Sequence, residues 1–193
     1  MVQGKAPLAG MILGGTALAA ALTGCGAAGR LATPAGASTV AQQSSAGQSA
    51  AGSRCKAGDL QVSLGGGDAG MGHTYRTVRF TNVSGHPCTV QGFPGVSYVA
   101  GGDGHQVGAP AARTGSGGTA IGLADGQTAW TTVGMVNVHN YSTATCKPEA
   151  IRGFRVYVPE ERAAKFVQLN GTGCANAKVR QLTVKALQAG RGQ

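Results

Sequence analysis

The 193-residue sequence predicts an all-β protein, an antiparallel β-sandwich held by two disulfides and preceded by a leader and a linker. Three observations predict it. Short stretches alternate apolar and polar residues, as half-buried strands do, with Gly, Pro, Asn and Ser between them. Helical periodicity is almost absent. Four cysteines are spread through the alternating region, in keeping with a small domain stapled outside the reducing cytosol.

The chain opens with an n-region carrying Lys5 and an apolar run from Ala6 to Leu22, closed by Leu22-Thr23-Gly24-Cys25. The run is too short and too interrupted by glycine for a membrane span. It has the pattern of a bacterial lipoprotein signal over residues 1–24. In that pattern the sulfur of Cys25 takes a diacylglycerol, the peptide is cut before it, and the new amino end can be acylated. Two or more acyl chains, at about 0.8 kcal/mol per buried CH₂, make a stable anchor. Residues 25–53 follow as a disordered tether of Ala, Gly, Ser, Gln and Thr, too poor in bulky apolar side chains to order itself. The 28 residues from 26 to 53 form a flexible coil reaching about 30 Å, or about 100 Å when stretched.

Residues 54–188 are the size of one domain. Leu60, Val62 and Leu64 alternate with Gln61 and Ser63, and Val78 and Phe80 alternate with Thr77, Arg79 and Thr81. Further strands are predicted over 88–91, 96–99, 105–108, 120–123, 127–136, 154–158, 166–169 and 179–187. Ser84-Gly85-His86-Pro87 and Gly92-Phe93-Pro94-Gly95 separate strands, the second with Pro94 and Gly95 placed for a type II turn. One short helix is predicted at Pro159-Glu160-Glu161-Arg162-Ala163-Ala164, with proline at its first position and carboxylates in its first turn. Residues 189–193 read as a flexible tail.

The five cysteines stand at 25, 55, 88, 146 and 174. With Cys25 as the lipid site an even four remain, which permit three pairings. Cys55 with Cys88 and Cys146 with Cys174 are favoured as neighbours along the chain, each closing a loop of about thirty residues worth roughly 3–4 kcal/mol. Zinc is not expected: no C-x-x-C occurs, and no cysteine has a histidine at the usual spacing.

The run Asn82-Val83-Ser84-Gly85-His86-Pro87-Cys88-Thr89-Val90-Gln91-Gly92-Phe93-Pro94-Gly95-Val96 is succeeded by an Asp-Gly turn, Cys146-Lys147-Pro148, Gly153-Phe154-Arg155-Val156-Tyr157-Val158-Pro159 and a last Cys174. Together these resemble an uncharacterised domain-of-unknown-function family of actinobacterial lipoproteins and secreted proteins, from about Cys55 to Leu187. The resemblance implies an immunoglobulin-like sandwich stapled by disulfides at the cell envelope. It brings no catalytic residues with it.

Sites of known chemistry find little support. Gly65-Gly66-Gly67-Asp68-Ala69-Gly70 fits G-x-G-x-x-G, but the next residues, Met71-Gly72-His73-Thr74-Tyr75, are β-type and give no helix N-terminus for a pyrophosphate; a loose hairpin loop is expected. Gly95-Val96-Ser97-Tyr98 begins like a nucleophile elbow, yet Val99 stands where the second glycine belongs. Met71, His73, Met135 and His139 offer soft and imidazole ligands for copper(I) if they converge; loop histidines and a core or edge methionine are the simpler reading. Glu160 and Glu161 are adjacent and do not make a glycosidase pair. The N-x-S/T triplets at Asn82, Asn140 and Asn170 read as strand ends and turns. An enzyme would need a site assembled by the fold, for instance around His73, Asp103, His105 or His139.

Charge carries what partner information there is. Within 54–188, thirteen basic residues face seven acidic ones, a formal +6. Anionic lipid heads and wall polymers attract such a domain. Arg152, Arg155, Arg162 and Lys165 are the candidate face for an anionic partner. Nucleic acid is not expected, since no aromatic stacking motif accompanies the basic residues. The expected role is a non-catalytic binding or structural domain without cofactor, lipid-anchored on the extracytoplasmic face of the cell membrane, with a wall polymer, phospholipid or envelope protein as partner. An envelope enzyme or accessory domain and a copper-handling protein are the alternatives.

Overall fold

The computed structural model describes residues 52–193. The leader, Cys25 and nearly all of the tether lie outside the described residues. Sheet one contains β1 (Leu60–Leu64), β2 (Ala69–Gly70), β3 (His73–Asn82), β7 (Ala112–Thr114), β9 (Thr128–Val136), β12 (Leu182–Lys185) and β13 (Gln188–Ala189). Its order is β1-β3-β9-β12-β7, with β2 on β3 and β13 on β9. Sheet two contains β5 (Gly95–Ala100), β6 (His105–Val107), β10 (Pro148–Tyr157) and β11 (Ala164–Cys174), in the order β11-β10-β5-β6. A separate pair joins β4 (Cys88–Val90) to β8 (Ile121–Leu123). With β1, β3 and β9 in one sheet and β5, β6, β10 and β11 in the other, these strands follow immunoglobulin-type order.

Two-residue periodicity sorts the side chains. Val78 and Phe80 on β3 face the core with their cross-strand partners Thr131 and Ala129 on β9. Sheet one adds Leu60, Val133, Leu182 and Val184; sheet two meets them with Val96, Tyr98, Phe154, Val156 and Val167. Tyr98 and Phe154, paired across β5 and β10, stack with ring centroids 5.4 Å apart. Val90 and Leu123 from the β4–β8 pair are buried in the same core. The described residues thus form an all-β sandwich.

The favoured cysteine pairs are bonded. Cys55–Cys88 has its Cα atoms 4.9 Å apart and pins the segment before β1 to β4; Cys146–Cys174, at 4.6 Å, ties the start of β10 to the end of β11. The second bridge packs with Val179, Val138 and Tyr141 in a small cluster of its own.

Several local expectations are corrected. No helix forms at 159–164: Glu160 has φ +64°, the Glu161 N–H donates to the Val158 carbonyl, and β11 begins at Ala164, so the segment is the turn between β10 and β11. Propensity there loses to antiparallel pairing of the flanking strands. The short helix is instead Thr143–Cys146, capped by the Ser142 hydroxyl, which accepts from the Thr145 N–H at 3.2 Å. The type II turn at Pro94-Gly95 is absent; Gly92 carries the positive φ and Gly95 opens β5. Gly65–Asp68 is not a loose loop. It runs beside β3, with the Gly65 N–H donating to Thr77 O and the Thr77 N–H to Gly66 O. The turn proper is Met71-Gly72, both at positive φ.

The strands are not all antiparallel, since β12 pairs in parallel with β7. Nor does the tail hang free of the sheet: Gln188–Ala189 pairs with β9, and the Arg191 carbonyl accepts from Arg79 Nε at 2.7 Å. At the other end the domain begins slightly earlier than residue 54, because the Thr89 N–H donates to Ser53 O at 3.0 Å. Asn82 and Asn140 end a strand and a turn as expected, but Asn170 sits within β11.

Candidate functional site

At one end of the sandwich the two sheets part around a cleft of about 340 Å³. The register of β3 against β9 sets Arg76 opposite the buried Val133 and two residues before Val78. Arg76 is therefore on the inward face, where the alternation would otherwise place an apolar residue. Thr74 and Met135, opposite one another, continue that wall. Sheet two contributes Tyr98, Ile151 and Leu169, with Asn170, Gly171 and Thr172 at the rim.

A short turn, Val138–Asn140, closes another side and brings His139 to the cleft. Asn137 Oδ1 accepts from the His139 N–H at 3.0 Å, and Asn140 Nδ2 donates to Gly72 O at 3.1 Å, fastening this turn to the β2–β3 hairpin. Gln181, buried, ties the sheets together. Its Oε1 accepts from the Cys174 N–H and its Nε2 donates to Val136 O, each at 2.8 Å.

The electrostatics of the cleft are one-sided. Arg76 Nε is buried and has no hydrogen-bond partner among the described residues, a rare state for a charged group. Among the described residues no carboxylate lines the cleft, and none of their three ion pairs includes Arg76. Asp68 and Arg76 both line a separate hollow together with Gly192 and Gln193, and no ion pair among the described residues joins them. Burial pushes the Tyr98 phenol above its ordinary pKa, which keeps it a neutral hydroxyl.

The other residues singled out from the sequence are dispersed. Met71 is fully exposed at its turn, and His73 stacks on Tyr75, which lies on the outward face of β3; of the four, Met135 and His139 share the lining of the cleft. Among the described residues no three His, Cys, Asp or Glu side chains are grouped to hold a metal ion. Ser97 is buried in β5.

Asp103 and His105 do come together, joined by Glu149, which the sequence did not single out. His105 Nδ1 lies 2.8 Å from Asp103 Oδ1, and its Nε2 lies 2.7 Å from Glu149 Oε1. The Glu149 hydrogen bond, then that of Asp103, raises the His105 pKa above the ordinary histidine value. The same bond to His105 lowers the Asp103 carboxyl.

The candidate basic face divides. Arg152, the bulge residue of β10, donates to Gly101 O at 2.6 Å and holds its guanidinium 6.0 Å from the Phe166 ring centroid. Arg155 donates to Gly104 O at 3.1 Å in the same β5–β6 hairpin, and pairs across the strands with Phe166. Lys165 pairs instead with the buried Val156, which puts it on the opposite face of sheet two. Arg162 is exposed in the β10–β11 turn. Arg152 and Arg155 thus share a surface with the exposed Phe166, apart from Lys165.

Fold and site together define a disulfide-stapled β-sandwich domain with a cationic cleft between its sheets. Residues 55–188 match the family described as "Domain of unknown function (DUF4232)", and the chain belongs to that family. No curated protein and no solved structure matches it. Among the described residues no helix is long and apolar enough to cross a membrane.

Proposed function

We propose that the chain is an actinobacterial lipoprotein: a non-catalytic binding domain anchored by lipid on the extracytoplasmic face of the cell membrane. The observation that carries this reading is the use of the cysteines. Four are spent in two disulfides, the chemistry of an oxidising compartment, and the fifth is Cys25, directly after Leu22-Thr23-Gly24 at the end of an apolar run. A binding role is favoured by an open cleft lined by Arg76, whose Nε has no hydrogen-bond partner and which joins none of the ion pairs among the described residues. A catalytic role finds less support, because both ring nitrogens of His105 face carboxylates and Ser97 is sealed within a strand.

Mass spectrometry of the membrane fraction tests the anchor. It should find a mature chain beginning at lipid-modified Cys25, and Cys25→Ala should release the protein from the membrane. A mature chain starting elsewhere and secreted in full refutes the anchoring.

A further inference from the structure

We propose that the cleft at the end of the sandwich is a binding site for a small monocarboxylic acid, gripped through its carboxylate by Arg76. The proposal deepens the reading of this chain as a binding domain and gives the ligand a chemical class. It does not depend on where the chain is anchored.

The argument begins with Arg76 itself. An inward-facing position on a strand flanked by Val78 and Phe80 is a poor place for a guanidinium unless something compensates it. Here the described protein supplies no carboxylate, and Nε is buried without an acceptor. A polar group left unsatisfied in this way costs about 1–3 kcal/mol, and more when charged. A carboxylate in the cleft offsets the uncompensated charge through the terminal N–H groups of the guanidinium, which present a fork that matches two carboxylate oxygens.

The remaining walls narrow the class. Met135, Ile151 and Leu169 supply apolar patches from both sheets within a lining that is on balance polar, with Thr74, Asn137 and Thr172 among them. Among the described residues Arg76 is the only Arg or Lys lining the cleft, which matches a single negative charge better than the double charge of a phosphate. The volume, about 340 Å³, lies at the small end of ligand pockets, which run from about 300 to 1,000 Å³. The frame is held firmly by the Gln181 bridge between the sheets and by the Asn137 and Asn140 bonds that fix the His139 turn.

The test uses the full chain carrying Cys25→Ala, titrated with phenylacetate, isovalerate, phenylacetamide and inorganic phosphate while amide NMR signals are followed. Phenylacetate or isovalerate should give saturable shifts clustered at Thr74, Met135 and Asn170, with phenylacetamide and phosphate at least about tenfold weaker, a difference of about 1.4 kcal/mol. Arg76→Met should weaken acid binding by about tenfold or more, and Arg76→Lys, which keeps the charge but not the fork, should fall between. Equal binding of acid and amide overturns the proposal, as does phosphate binding as well as phenylacetate. So does the absence of saturable binding by either acid, or shifts that map away from the cleft. If Arg76→Met does not fold, the comparison of acid with amide on the unaltered cleft still decides. Failure here leaves lipidation at Cys25 untouched, and a non-lipidated Cys25 leaves the affinity of the cleft untouched.

Discussion

Arg76 and His105 show two ways in which one residue departs from what its sequence neighbourhood suggests. The alternation around Val78 and Phe80 marks a strand, and extending the same period backwards to Arg76 and Thr74 places an arginine on the core face. The charge breaks the apolar pattern, so the alternation is legible only from Thr77, although β3 begins at His73. His105 could not have been paired with Glu149 from the sequence, because 44 residues separate them and only the fold of sheet two joins them. Its raised pKa has a definite sign in stability. The bonds to Glu149 and Asp103 favour the charged ring, so their contribution is fully present below the ordinary histidine value and is lost as pH rises through the raised folded one. An NMR titration should show His105 losing its proton at higher pH than an unstructured histidine, and Glu149→Gln should bring it down. A His105 that titrates identically in both forms shows that the contact does not persist in solution.

Elements were legible where their signals were local. The alternation of Leu60–Leu64, the strand predicted over 127–136 and the strand around Val96 fall where the sequence put them, within a residue or two. The pieces that were missed depend on partners distant in the chain. Ala112–Thr114 is a strand only because Leu182–Lys185 lies beside it, and residues 159–163 form a turn because the strands on either side pair with each other. Cysteine spacing did better, since neighbours in sequence turned out to be bonded. Peptide mapping without reduction should therefore recover Cys55 linked to Cys88 and Cys146 linked to Cys174. The bonds close intervals of 33 and 28 residues, so replacing either pair by alanine should lower unfolding free energy by about 3–4 kcal/mol in a denaturant titration. A loss well below 1 kcal/mol for both pairs contradicts that account.

For the whole molecule the governing quantity is the surplus of basic residues, +6 over 54–188, in a domain proposed to work beside anionic lipid and wall polymer. Long-range attraction of this kind acts over about a Debye length, roughly 10 Å at 0.1 M salt. The domain should be retained on anionic vesicles or purified wall at low salt and released steeply as salt rises. Replacing Arg152, Arg155, Arg162 and Lys165 together with Gln should reduce that retention. Arg152 and Arg155 also hold hairpin carbonyls, so thermal unfolding of the variant should show a loss of about 0.5–1.5 kcal/mol per bond but still a single transition. Retention that equals the parent's at low salt would assign these four charges to solubility alone.

The place of β12 has a consequence for the order in which this protein can be completed. The strand at residues 182–185 comes late in the chain, followed among the described residues by the two-residue β13, yet it stands inside the sheet, between β9 and β7. A chain that emerges from a ribosome or an export channel amino end first has β7 in hand some seventy residues before anything exists for it to pair with. Until the carboxyl end arrives, β9 keeps an open edge, and β7 has no neighbour in the sheet. The sandwich therefore closes only once residues 182–185 are made, as an arch is locked by its keystone, and a chain cut after residue 181 would lack a strand from inside the sheet rather than a fringe.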